Sequence, residues 1–266
     1  MNNADEKWQW VDEDPIEKLL HPRSDDHRQE PDSRGPVAST FLATGQAQFD
    51  SLRFEEAAGS YSAAVAAEPE NPAAHYGLAV CLEKIDQWKA AANSFRRTLE
   101  LDPERLEALA GLGACLLHLE LIEEALSCFE LARESGADPE PALLGEAVAL
   151  HKLNRYEDAD RVYREHLQIN PNSAETLANL IALSVARQDT VAVFEFARRL
   201  LRVNPRSKAA LQGLATLAIR HGDQSGAVDY CTRLVEVDPD SFEGWFNLRF
   251  AQQRMRPPGE PTRSIA

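Results

Sequence analysis

The sequence predicts an all-α fold, and three observations support that prediction: a 34-residue repeat, a helical spacing of apolar residues and prolines in register. The segment 53–57 (RFEEA) returns at 87–91 (QWKAA), at 121–125 (LIEEA) and at 155–159 (RYEDA). A fixed repeat of this length is typical of a stacked array in which each repeat contacts only its neighbours.

Apolar residues within each repeat follow the spacing of amphipathic helices. In the second repeat, Leu78, Cys81 and Leu82 lie on one face of such a helix. Each repeat is therefore predicted to be a helix, a tight turn, a second helix and a loop. In this repeat the first helix is expected at about 73–85 and the second at about 89–102.

Prolines in register are expected to end each second helix, because a proline disfavours helical backbone at the residue before it. One member of the column is missing, since residue 137 is alanine and the nearest proline is Pro139. The column comprises Pro69, Pro103, Pro171, Pro205 and Pro239.

Two further columns are predicted to form the core. The alanines lie where the two helices of a repeat cross closely, and the aromatic residues fill the space between consecutive repeats. Added bulk in the alanine column is expected to cost about 1–3 kcal/mol by overpacking. The columns are Ala57, Ala91, Ala125, Ala159 and Ala227, and Tyr61, Phe95, Phe129 and Tyr163.

The repeat resembles the tetratricopeptide repeat, most clearly in residues 74–79 (AHYGLA) followed by Ala91, Phe95 and Pro103. The resemblance implies a right-handed α-solenoid. The fifth repeat departs from the pattern.

The predicted organisation has three parts: an acidic, largely disordered arm at 1–36, a solenoid at 37–256 and a disordered tail at 257–266. Within the solenoid, the repeats are predicted at 38–71, 72–105, 106–139, 140–173, 174–207 and 208–241, followed by a polar-faced capping helix at 242–254.

The departures in the fifth repeat affect three positions of the pattern. Ile181 replaces the small residue of the first helix, Val193 replaces the column alanine, and Ala197 replaces the column aromatic.

Composition excludes several classes of function. A net charge of −15 and an isoelectric point near 4.9 argue against nucleic acid and against an anionic membrane surface as partners. The first ten residues have no apolar stretch typical of a signal peptide, and no apolar run is long enough to span a membrane. The four cysteines form no C-x-x-C pair and are expected to be small core residues. We therefore predict a cytoplasmic protein.

No pattern of catalytic residues is present in the sequence. There is no glycine-rich phosphate loop, no H-E-x-x-H and no G-x-S-x-G. The acidic pairs Glu55-Glu56 and Glu123-Glu124 come where second helices begin, and carboxylates there stabilise the helix dipole. We therefore predict a protein that is not an enzyme and that uses neither a cofactor nor a metal.

The resemblance implies a concave groove, lined by the first helix of each repeat, that binds peptides. It does not imply the groove that holds a chaperone's C-terminal carboxylate, because the Lys and Asn positions of that groove are different residues here. The same register adds Ala43, Asp50, Ala110, Ala178, Ala182, Ala186, Gln212 and Thr216 to the groove. The predicted peptide-binding residues are Leu42, Gln46, Phe49, Tyr76, Val80, Lys84, Ala114, His118, Leu144, Val148, Lys152, Asn179 and Arg220.

Two properties of this groove suggest what it binds. Its floor is apolar and one rim is mildly basic through Lys84, Lys152 and Arg220, which suits an acidic, amphipathic segment. The chain contains one such segment between Trp8 and Leu20. The N-terminal arm is therefore either an occupant of the groove, in the same molecule or a neighbouring one, or a solvated tail.

Glycine recurs at one groove position in four repeats, where a helix interior normally disfavours it by up to about 1 kcal/mol relative to alanine. Either these glycines leave the groove floor open to a helix or a bulky side chain of a partner, or they only ease packing between helices. The four are Gly77, Gly111, Gly145 and Gly213.

These observations predict a protein-interaction scaffold or adaptor that binds a peptide or an amphipathic helix. Two alternatives stay open: a structural protein that assembles with copies of itself, and a regulatory subunit of a partner enzyme. Concentration-dependent sedimentation distinguishes the self-assembling protein from a monomeric adaptor.

Overall fold

The computed structural model describes residues 35–255, and within this range the chain forms thirteen α-helices and no β-strand. The predicted fold class, an all-α solenoid of helical repeats, is confirmed. None of the helices in this range is both long and apolar enough to cross a membrane. The helices are α1 Gly35–Asp50, α2 Phe54–Ala67, α3 Pro72–Lys84, α4 Trp88–Leu101, α5 Glu107–His118, α6 Ile122–Glu134, α7 Pro139–Lys152, α8 Tyr156–Ile169, α9 Ala174–Ala186, α10 Thr190–Val203, α11 Lys208–His221, α12 Gln224–Val237 and α13 Phe242–Met255.

The helices fall into two compact modules. The N-terminal module contains α1 to α7, and the C-terminal module begins at Asn154 and contains α8 to α13. Within each module, helices that follow one another in the chain pack together, as α1 does on α2 and α11 on α12. The first helices of successive repeats also touch, as α9 and α11 do. The predicted arm and tail lie outside the described residues, apart from residues 35 and 36 of the arm, which begin α1.

The helices end where the proline column predicts. Each second helix that precedes a column proline stops two residues before it, as α4 does at Leu101 before Pro103. At the interrupted position, Gly136 turns the backbone with φ of 84°. The Asp138 carboxylate then accepts a hydrogen bond of 3.1 Å from the amide of Glu140, and Pro139 occupies the first turn of α7. Asparagine, serine or aspartate caps several other helices in the same way.

A left-handed backbone conformation recurs in the turn inside every repeat. In five repeats a residue other than glycine adopts it, with φ between 58° and 60°, and the sixth repeat has glycine with φ of 74°. Because six residue types share one conformation, the conformation follows from the geometry of the turn and not from the side chain. The residues are Leu52, Asp86, Glu120, Asn154, Gln188 and Gly222.

The alanine and aromatic columns form the core, as predicted. The column alanines are 0–2% exposed to solvent, and the four aromatic side chains are 0–6% exposed. In the N-terminal module the Phe95 ring also contacts the Tyr76 ring edge-on, with 6.0 Å between centroids. These rings therefore pack between helices and are not available to a ligand.

Three of the four glycines serve this packing. A Cβ added at any of them would overlap the aromatic ring that the preceding second helix places against it. For these three positions the packing interpretation is right and the open-floor interpretation is wrong. The distance from the added Cβ to the nearest ring carbon would be 2.3 Å at Gly77 to Tyr61, 2.4 Å at Gly111 to Phe95 and 2.2 Å at Gly145 to Phe129.

All four cysteine thiols are free and buried, which confirms the predicted core role. Burial raises the pKa of the Cys81 thiol to about 11 and that of Cys115 to about 12, and it also raises the pKa of Cys231. Because the thiolate is the reactive form, the folded chain at pH 8 should not react with a thiol reagent over minutes. In denaturant all four thiols should react; a rapid reaction of the native chain would contradict their burial.

Candidate functional site

The predicted groove residues of α1 are partly used in packing. Leu42 and Phe49 pack against the small core around Ala57 and Tyr61. The Tyr61 hydroxyl donates a hydrogen bond of 3.2 Å to the Gln46 side-chain oxygen. This end of the predicted groove is thus supported by side chains of α2.

The predicted residues of α3 lie beside a polar recess. Tyr76 is half-buried, and the guanidinium of Arg105 lies 5.2 Å from the centre of its ring. Val80 packs against the core, while the ammonium of Lys84 lies 3.6 Å from the Glu83 carboxylate. The recess next to Tyr76 has a volume of about 470 Å³ and is lined mostly by charged residues between Asp102 and Glu107.

Among the predicted residues of α5 and α7, Lys152 is a second cation that already has a carboxylate partner. The Lys152 ammonium donates a hydrogen bond of 3.0 Å to the Glu120 carboxylate. The His118 ring stacks on Trp88 with 3.8 Å between centroids and 2° between planes. Ala114, Leu144 and Val148 are half-buried. Two of the three cations of the predicted basic rim, Lys84 and Lys152, are therefore already paired.

The C-terminal module contains a groove between α9 and α11 with a volume of about 500 Å³. It brings together Arg220 and four residues that the repeat register placed on this surface, but its lining does not include the predicted Asn179, which is half-buried on α9. The residues shared with the prediction are Ala178, Ala182, Gln212, Thr216 and Arg220.

The floor of this groove lies where the repeat pattern fails. Gly213 corresponds to Gly145, but the nearest atoms to a Cβ added there would be methyl carbons of Ile181 and Val193, each 3.3 Å away. Among residues 35–255, the side chains of Ile181 and Val193 take the place of the column ring, which is missing because residue 197 is alanine. The fifth repeat has its ring at Phe196 instead, buried beneath the Arg164 guanidinium, which lies 5.1 Å from the ring centre.

The walls of the groove are made of small side chains, and a charged residue lies at each end of the groove. Arg220, near the end of α11, is exposed and makes no ion pair with any residue from 35 to 255. Glu243, in the first turn of α13, accepts a hydrogen bond of 2.9 Å from the Gln212 side chain. Gln212 and Arg220 are eight residues apart on α11, so the two charged ends lie about 12 Å apart along the helix.

Sequence reasoning missed several lining residues, among them Ile181, Val193, Val185 and Glu243. The signal was present, because Ile181 and Val193 are two of the three departures that distinguish the fifth repeat. We interpreted them as loss of the pattern, whereas they form the floor of the groove.

The last helix exposes aromatic side chains instead of an entirely polar face. Counting only residues 35–255 as cover, Phe242 is 83% exposed, Trp245 52% and Phe246 60%. The polar residues predicted for this capping helix lie in its second half, where Arg249 and Gln252 are exposed while Leu248 and Ala251 pack on the preceding helices.

Comparison with models of protein families matches most of the chain to repeat families. Models described as "Tetratricopeptide repeat" match residues 42–85, 86–145 and 195–242, together more than half of the chain. A model of the coatomer epsilon subunit matches residues 120–202. No curated protein sequence matches the chain.

Several solved structures share the fold at low sequence identity. PilF of Pseudomonas aeruginosa is 18% identical with a TM-score of 0.67, and the alignment covers 84% of this chain and 100% of that one. PilW, described as a widely conserved type IV pilus biogenesis factor, is 18% identical with a TM-score of 0.68 over 81% of this chain and 98% of that one. YrrB, described as a TPR protein with an unusual peptide-binding site, is 17% identical with a TM-score of 0.58 over 74% of this chain and 99% of that one.

Proposed function

We propose that this chain, which belongs to the tetratricopeptide repeat family, is a non-catalytic adaptor that binds a peptide or amphipathic helix of a protein partner. A scaffold for protein–protein interaction is the general role that the repeat fold supports. The finer proposal places binding in the groove between α9 and α11. The residues predicted on α1, α3, α5 and α7 remain candidates for a second contact surface.

The observation that supports this location is an apolar groove next to Arg220, a cation with no ion-pair partner among residues 35–255. The buried floor offers apolar surface, and Arg220 offers a charge-assisted hydrogen bond to a carboxylate. In the N-terminal module, by contrast, Lys84 and Lys152 already lie next to carboxylates. An acidic, amphipathic segment therefore fits the C-terminal module best. YrrB, with its peptide-binding site, shows a TPR protein in which such a role is described.

The experiment compares partners captured by wild type and by Ala182→Arg, which inserts a long charged side chain into the groove wall. We expect the variant to lose at least ~90% of the specific partner, since the long side chain of an arginine would fill the groove and exclude the partner's apolar residues. Gln168→Arg, on the exposed surface of α8, is the matched control and should capture normally. The captured protein is then purified and its affinity for the three chains measured. If wild type and Ala182→Arg bind the partner with equal affinity, the partner does not bind in the groove between α9 and α11.

A second candidate function is self-assembly, which the exposed aromatic residues of α13 favour. Phe242 and Phe246 stack with 6.3 Å between centroids and present an apolar surface. Sedimentation velocity over a range of concentrations separates the two functions. A dimer that disappears in Phe242→Glu/Phe246→Glu would support self-assembly, and a monomer at every concentration would support the adaptor.

The N-terminal segment from Trp8 to Leu20 lies outside the described residues, and its occupation of a groove stays a prediction. Deletion of residues 1–34 tests it. Unchanged partner affinity and oligomeric state would show that the segment is not an occupant.

A further inference from the structure

We propose that the exposed side of α10 binds the acidic segment at residues 8–20 of this protein. This side of the helix comprises Val191, Phe194, Arg198 and Arg202, and we call it the outer face of α10. None of these four residues lines the groove between α9 and α11. The proposal therefore goes beyond the adaptor function and does not depend on it.

The outer face combines apolar side chains with cations. Its four residues are three or four positions apart, so they share one side of the helix over about 16 Å. Val191 is 76% exposed and Phe194 47%. The Arg198 guanidinium lies 5.3 Å from the centre of the Phe194 ring, and Arg202 is exposed one turn further along. Neither arginine forms an ion pair within the described range 35–255, so both charges are available to a ligand.

This face differs from the equivalent face of the other second helices. Val191 lies where those five helices have polar or charged residues, namely Glu55, Lys89, Glu123, Glu157 and Ser225. Arg202 lies where three of them have glutamate, the residues there being Ala66, Glu100, Glu134, Gln168 and Glu236. Exposed apolar residues next to arginines are typical of a surface that contacts protein.

Basic residues are concentrated around this face. Residues 187–220 contain seven of the 28 lysines and arginines of the chain but only two of its 43 acidic residues. Of those two, Asp189 caps the start of α10, and Glu195 lies on the same side of the helix as the arginines. In a chain with a net charge of −15, such a local excess of positive charge selects an acidic ligand.

The segment 8–20 has the complementary composition. It contains four acidic residues and one lysine, and three of the acids form the run 12–14 (DED). Trp8, Trp10 and Val11 come directly before this run. An apolar part next to an acidic part can thus contact an apolar part next to a basic part. Carboxylates form strong hydrogen bonds with guanidinium groups, which makes this pairing specific.

The experiment places a nitroxide spin label on Gln9→Cys in the full chain, which is also labelled with ¹⁵N. The four native thiols are buried, so the reagent should modify residue 9 alone. We expect the backbone amides of Phe194, Arg198 and Arg202 to lose more intensity in the paramagnetic state than the groove amides of Gly213 and Thr216. The measurement detects the contact whether the segment comes from the same molecule or from a second one.

Charge reversal tests the mechanism. Arg198→Glu/Arg202→Glu should weaken the contact at least about tenfold, because two attractive charges become repulsive, and the lost intensity should return. Arg220→Glu/Arg249→Glu is the matched control, since it makes the same change in net charge at two other exposed arginines. This control should leave the intensity losses on α10 unchanged.

A variant of the segment covers the case in which the charge-reversed chain does not fold. Asp12→Asn/Glu13→Gln/Asp14→Asn changes no residue of the thirteen helices, and it should weaken the contact as strongly as the reversal on α10.

Each of three results would overturn the proposal. Losses on α10 that persist in both folded variants would show that the arginines and the acidic run do not hold the segment. Losses centred on Gly213 and Thr216, and removed by Arg220→Glu/Arg249→Glu, would place the segment in the groove. Unchanged intensity at every amide of residues 35–255 would show that the segment does not bind this part of the chain.

Discussion

Gly145→Ala should lower the free energy of unfolding by about 3 kcal/mol, at the upper end of typical overpacking costs. The added Cβ would lie 2.2 Å from the ring of Phe129, closer than any real contact. That ring is 2% exposed, so it has little room to move away. An alanine inside a helix normally gains up to about 1 kcal/mol over glycine, and here the overlap should outweigh that gain. Chemical denaturation of wild type and variant measures the difference.

Gly213→Ala is the matched control, because its Cβ would meet only methyl groups at 3.3 Å. We expect it to change stability by less than about 1 kcal/mol, in either direction. A double-mutant cycle tests the cause: Gly145→Ala should cost less in a Phe129→Ala background, where the ring is absent. If the two glycine variants are equally stable, the ring does not explain why glycine occupies position 145.

Phe95→Ala should destabilise the chain by about 4 kcal/mol, as expected for an aromatic residue truncated in a core. The side chain is 1% exposed, contacts the Tyr76 ring and fills the space beside Gly111. The surrounding helix backbones fix the size of the space, so it cannot collapse fully after truncation. Urea unfolding followed by far-ultraviolet circular dichroism, which reports the loss of helix, measures the difference.

Phe246→Ala provides the comparison for a ring that is 60% exposed, and it should cost less than about 1 kcal/mol. A loss below about 1 kcal/mol for Phe95→Ala as well would mean that the aromatic column does not stabilise the core.

Periodicity was sufficient to predict the helices and the core. Alanine and aromatic residues at a spacing of 34 identify positions whose environment is repeated, so Ala91 and Phe95 could be placed in the interior without coordinates. Proline chemistry located the helix ends equally well, because its effect on the preceding residue is local. These features depend on residues near one another in the chain or in register.

The groove could not be predicted as completely, since it depends on contacts between repeats that differ. The role of Gly111 depends on a ring sixteen residues earlier, whereas at Gly213 two aliphatic side chains, Ile181 and Val193, take the place of such a ring. Coordinates were also needed to see which cations of the rim already have a carboxylate partner. Lys152 pairs with Glu120, 32 residues away, whereas Arg220 has no such partner among residues 35–255. From the sequence alone, Lys84, Lys152 and Arg220 were assigned the same role.

The left-handed turns have a consequence for how far this array is from its maximum stability. A side chain at φ near 60° costs roughly 1–2 kcal/mol, whereas glycine adopts that conformation freely. The sixth turn has glycine, but the other five retain Leu52, Asp86, Glu120, Asn154 and Gln188. Selection preserves stability only up to the level that function needs. This scaffold therefore holds a reserve of strain outside its helices, which evolution or design could relieve one turn at a time while the helical core stays as it is.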